Sequence, residues 1–149
     1  MIQHIKDSAA AVGVIAFVTN STEKIETQLN VLTRDSDRPI MLVSWDIVTD
    51  LAFDEHGFLK NPTSNITALL LEKAYDTTKL EVEKTAEEMA VLFQSFMQDL
   101  YKRLLPLQTT PEVPITGANY KLVPNYGLGK HSGVLGKWKM ASEISNCTV

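Results

Sequence analysis

The segment from Thr78 to Leu105, TKLEVEKTAEEMAVLFQSFMQDLYKRLL, constrains the chain most, because its apolar period fits a helix and nothing else. Ala86, Met89, Ala90, Phe93, Phe96, Met97, Leu100 and Leu104 recur at three- and four-residue intervals, which places them on one face of a 3.6-residue helix. Glu83, Glu87, Glu88, Gln94, Gln98, Lys102 and Arg103 fall on the opposite face, which is therefore wet. Thr78 followed by Glu81 predicts a capping box at the start, and Pro106, which cannot continue a helix, predicts the end. Burying the apolar stripe is worth on the order of 10 to 20 kcal/mol before conformational entropy is subtracted, an upper value. Such a helix needs a broad apolar partner, and the flanking strands must supply it.

Upstream, Ile2, Ile5, Ala9 and Val12 keep a helical spacing, which predicts a short helix over residues 2–12 ending at Gly13. VIAFVT, residues 14–19, is β-branched and aromatic and reads as a buried strand. The capping cluster Asn20-Ser21-Thr22 then opens a second short helix, Thr22 to Leu32. After Pro39, IMLVSWDI starts with four consecutive apolar residues, so both faces of that strand are expected to be covered where it begins. Asp54-Glu55-His56-Gly57 reads as a turn whose glycine supplies a positive φ, Lys60 to Ser64 as a loop, and ITALLLEK, residues 66–73, as a strand returning antiparallel. A protruding hairpin arm is expected around residues 46–66.

Beyond the long helix, Pro106, Pro111 and Pro114 predict an extended crossing. Two closing strands follow, one carrying Tyr120, Leu122 and Tyr126, the other running from Val134 to Ile144 with Trp138, Met140 and Ala141, and the loop NYGLGKHSG separates them. The order of elements predicts an α+β fold: a mainly antiparallel sheet packed on one face by the long helix of about residues 78–105, with short N-terminal helices. At 149 residues the chain fits one domain, 1–149, able to bury a core without a covalent staple.

Composition narrows the function classes. The single cysteine, Cys147, can form neither an internal disulfide nor a zinc knuckle. A net charge of -4 argues against bulk attraction to nucleic acid, so no specific nucleic-acid partner is expected. The charge is split, however: residues from Gly117 onward carry Lys121, Lys130, Lys137 and Lys139 against Glu143, a balance of +3, which leaves -7 on the first 116. Such a split suits either a solvated basic strand face or a surface for an acidic partner, another copy of the chain included. The apolar run from Ala9 to Val18 lacks a small-x-small cleavage site and is too short to span a bilayer, so neither a signal peptide nor a membrane segment is expected.

Motifs that carry chemistry are few. Gly127, Gly129, Gly133 and Gly136 do not fit a dinucleotide fingerprint, and Pro124 stands where a Walker loop needs glycine, so positive-φ positions in a hairpin loop account for them better. His131 and Ser132 are neighbours, yet neighbours on an extended chain point to opposite faces, and Lys130 occupies the place where a nucleophile elbow needs glycine. His4, His56 and His131 are too far apart for a metal-ligand pair, and Asp46 and Asp50 lie roughly 13 Å apart on a straight strand. No catalytic, cofactor or metal residues are therefore nominated.

A short N-terminal helix, a strand and cap in AFVTNS, a helix, a strand after proline in RPIMLVSW, a hairpin arm, one long amphipathic helix and a C-terminal strand pair together resemble, by order of elements, the small neck and tail proteins of phages: tail terminators, tail completion proteins and head-to-tail joining proteins. That resemblance implies a non-enzymatic virion subunit, assembled in the host cytoplasm as a homo-oligomeric ring and bound to other tail or neck proteins. The surface nominated for assembly is Trp45, Asp50, Phe53, Phe58, Tyr126, Lys130, His131, Lys137 and Trp138. The competing expectation is a small enzyme or ligand-binding domain with a cleft that brings together His131, Tyr126 and Asp54.

Overall fold

The chain, described by a computed structural model over residues 2–19, 39–50, 53–58, 63–73, 79–107, 114–126 and 131–141, begins with α1 (Ile2–Ala11), β1 (Ile15–Thr19), β2 (Ile40–Asp50) and β3 (Thr63–Lys73). It continues through α2 (Lys79–Leu104), one 3₁₀ turn (Leu105–Leu107), β4 (Ile115–Tyr126) and β5 (His131–Ala141). The helix expected over Thr22 to Leu32 and the capping residue Thr78 lie outside the described residues. Pro106 ends α2 as expected but not by extending the chain at once, because the last turn first tightens to 3₁₀ around it.

The five strands form one mixed sheet in the order β1-β2-β3-β5-β4. β1 pairs parallel with β2, and the other three pairings are antiparallel. The architecture is α+β, with the long helix laid across the sheet. The stripe on α2 is buried along Ala86, Met89, Ala90, Phe93, Phe96, Leu100 and Leu104, with Met97 half-buried and Val82 added at the N-terminal end. These side chains meet Met41, Val43, Ile66, Ala68, Leu70, Val134, Trp138 and Met140 from the sheet, together with Ile5 and Ala9 of α1.

Alternation sends the intervening residues to the second face, where Ile40, Leu42, Leu69 and Leu71 form a separate buried cluster with Phe17, Val123 and Leu135 packed against it. All four residues from Ile40 to Val43 are thus buried, as the apolar run at the start of that strand requires.

Gly133 and Gly136 correct the sequence reading. Both lie inside β5, not in a loop, and neither is among the positive-φ glycines, which among the described residues are Gly13, Gly57 and Gly117. Their role is close approach. A Cβ on Gly133 would stand 1.8 Å from the carbonyl oxygen of Leu70, and one on Gly136 would stand 2.2 Å from the ring of Phe93. Gly136 pairs with Ala68 on one side and Tyr120 on the other, so two small residues side by side leave a hollow in the sheet into which the Phe93 ring settles. Trp138 and Tyr120 flank that ring with centroids 6.1 and 5.8 Å away, and Phe96 meets Trp138 edge-on at 5.8 Å. Near the start of both elements, the buried Ser132 hydroxyl donates to the carbonyl of Val82 at 2.6 Å, tying β5 to the first turn of α2.

Candidate assembly interface

Two strand irregularities set the geometry at the end of the sheet from which the arm leaves. β2 and β3 stay in register to Trp45↔Ile66 and resume at Thr49↔Ser64, so four residue steps on β2 oppose two on β3. β4 and β5 lose step between Thr116↔Lys139 and Asn119↔Lys137, three steps against two. Gly117 absorbs the second irregularity at φ 62°, and the Asn119 side-chain amide donates to its carbonyl at 3.2 Å. Because Ile66 also pairs with Trp138, both bulges fall at one level of the sheet. Bulges bend a strand and re-aim its side chains.

At that level a groove of about 320 Å³ opens, lined by Asn65, Thr67, Gly117, Asn119, Lys137 and Lys139, with Ile66 and Trp138 beneath. Asn65, Thr67, Lys137 and Lys139 alternate with residues that face α2, so they point away from the helix.

The tip of the arm, residues 53–58, is held by its own backbone. Asp54 Oδ1 accepts from the amides of His56 at 2.9 Å and Phe58 at 2.8 Å, the Asp54 amide donates to the Phe58 carbonyl at 2.8 Å, and the Gly57 amide donates to the Asp54 carbonyl. Gly57 takes φ 81°, the positive value expected of the turn. This network fixes two large apolar side chains in solvent: Phe53 is 65 % exposed and Phe58 72 %. Two phenylalanines held apart from any core on a self-bonded turn are a feature that folding of the domain does not require.

The nominated surface divides accordingly. Phe53, Phe58 and Lys137 are at the surface. His131 and Trp138 are not: His131 is 5 % exposed and Trp138 1 %, the tryptophan because its side of β5 faces α2, where it meets Phe93 and Phe96. Trp45 and Asp50 are placed by register on β2, opposite Ile66 and Thr63, Tyr126 is placed opposite His131, and Lys130 lies outside the described residues. Asn65, Thr67 and Asn119 entered the site only through the fold. Gly117 was the readable signal, since glycine inside a strand marks a bulge.

The cleft expected to unite His131, Tyr126 and Asp54 is not assembled. Tyr126 and His131 are cross-strand partners, but His131 also pairs with Lys73 at one end of β3, whereas the arm leaves from Thr63 at the other. Ten strand steps separate those ends, roughly 33 Å, and the four residues from Asp50 to Asp54 reach back at most about 14 Å. Ser132 and His131 point to opposite faces as expected, with the serine hydroxyl on the Val82 carbonyl.

Burial lowers the pKa of the His131 imidazole, and the neighbouring Lys73 ammonium lowers it further. A base whose folded pKa is depressed contributes stability above its unfolded value and loses it as pH falls below that value toward the folded one, so thermal stability should drop as pH falls below about 6.5. Glu72, raised by burial and by Glu88, acts in the opposite direction as pH falls toward the ordinary carboxyl value. Melting curves of wild type and His131→Phe across that window test the assignment; equal slopes for both proteins would refute it.

Among the described residues no helix is long and apolar enough to cross a membrane, and no group of three or more His, Cys, Asp or Glu side chains is placed to hold a metal ion. Neither the known protein families nor the curated proteins include a match to this chain.

Proposed function

We propose that the chain is a non-enzymatic structural subunit that assembles with copies of itself into a ring, in the manner of phage neck and tail proteins, and that its partners in the virion are neighbouring tail or connector proteins. The observation that carries this reading is the arm tip: Phe53 and Phe58 sit in solvent on a turn stabilised by its own hydrogen bonds, and an apolar surface built this way is completed by another protein. The charge split supports association between unlike surfaces of identical chains, the geometry that closes rings. The phage context rests on the order of elements.

Light scattering and negative-stain microscopy test the proposal together. The purified chain should form an oligomer with a concentration-dependent mass, weakened by high salt and by Lys130→Glu with Lys137→Glu. A strict monomer at the highest attainable concentration would overturn it.

A further inference from the structure

Resting on that reading, we infer that the occupant of the groove at the bulged end of the sheet is the arm tip of a second copy of this chain. Three observations converge on this occupant. The first is chemical. The tip presents Phe53 and Phe58 beside Glu55, whose side chain is 86 % exposed and has a surface contact with His56 at 3.6 Å, while the groove presents Lys137 and Lys139 together with neutral Asn65, Thr67 and Asn119. A tip with apolar side chains and a carboxylate fits a groove that offers lysine ammonium groups with amide and hydroxyl groups between them.

The second is size: a space of about 320 Å³ admits one aromatic side chain with part of its turn and little more. The third is order. The tip is already fixed by the bonds of Asp54 to His56 and Phe58, so docking immobilises few further torsions. The exposure of both phenylalanines shows that the tip does not occupy the groove of its own chain. Tip and groove are different surfaces, so the contact is heterologous and repeats from copy to copy.

Site-directed disulfides in the full chain, in a Cys147→Ser background, test the contact directly. Glu55→Cys protein and Lys137→Cys protein carrying a mass tag are mixed under mild oxidation, and the expected product is the mixed dimer in clear excess over either homodimer. Phe53→Ser with Phe58→Ser should weaken self-association at least about thirtyfold, and Lys137→Glu should be partly rescued by Glu55→Lys. Oligomers that persist without the mixed disulfide and are unaffected by the phenylalanine substitutions would overturn this contact and leave the structural-subunit reading standing. A crosslink within one chain in the Glu55→Cys, Lys137→Cys double variant, on a particle of monomer mass, would assign the groove to the chain's own arm. Absence of any oligomer would remove both.

Discussion

Gly133→Ala should cost at least about 3 kcal/mol of folding stability, a large share of the roughly 5 to 15 kcal/mol that holds a native domain together. The substitution adds one methyl group, but the group would arrive 1.8 Å from the Leu70 carbonyl oxygen and 3.0 Å from the Leu71 Cα, both backbone atoms. A side chain could swing aside; a paired strand cannot. β3 and β5 are partners over eleven residue pairs centred in the sheet, and forcing them apart at Gly133 disturbs the ladder that connects the N-terminal strands to β4. It also disturbs the adjacent Ser132 hydroxyl, whose bond to Val82 anchors α2. Urea denaturation followed by circular dichroism measures the effect. A midpoint equal to that of wild type would show that the strands do not approach so closely.

Phe93→Ala should be nearly as damaging, at about 3 to 5 kcal/mol, the usual range for a phenylalanine lost from a core. Phe93 is 2 % exposed and touches three other aromatic rings, Phe96, Tyr120 and Trp138, so its removal leaves a cavity bounded by residues that cannot all move into it. The hollow above Gly136 gives a sharper test. Gly136→Ala alone should destabilise, since its Cβ would meet the Phe93 ring at 2.2 Å, but in a Phe93→Ala background the same methyl group enters vacated space. The two substitutions should therefore be coupled by about 1 to 3 kcal/mol in a double-mutant cycle. Additive energies would mean that the glycine serves some purpose other than admitting the ring.

The two glycines show where sequence reasoning stopped. A positive φ is a local property, and for Gly57 the neighbouring Asp54-Glu55-His56 was enough to place it in a turn. The reason for Gly133 and Gly136 is not local, because the atoms that exclude a side chain there belong to Leu70 and Phe93, dozens of residues earlier in the chain. Read without those neighbours, the glycines looked like a loop. His131 and Trp138 were nominated as surface for the same reason: flanking lysines and glycines give a polar local composition, and only tertiary packing buries them, Trp138 against Phe93 and Phe96 of α2. By contrast Phe53 and Phe58 were legible as arm residues, since the turn between them carries its own signal and little else in the chain is needed to expose them.

By itself the sequence determined what depends on neighbours within a turn or two: the apolar face of α2 and its stop at Pro106, the strands, the turn at Gly57, and the burial of both faces from Ile40 to Val43. These follow from backbone periodicity and from conformations that single residues allow or forbid. Only the tertiary structure decided the strand order, the approach of β5 to β3 and to α2, and the meeting of two bulges at one level to open a groove beside the arm. Each of those depends on contacts between residues distant in the chain, whose cost in loop closure and gain in packing are settled only when the whole sheet forms.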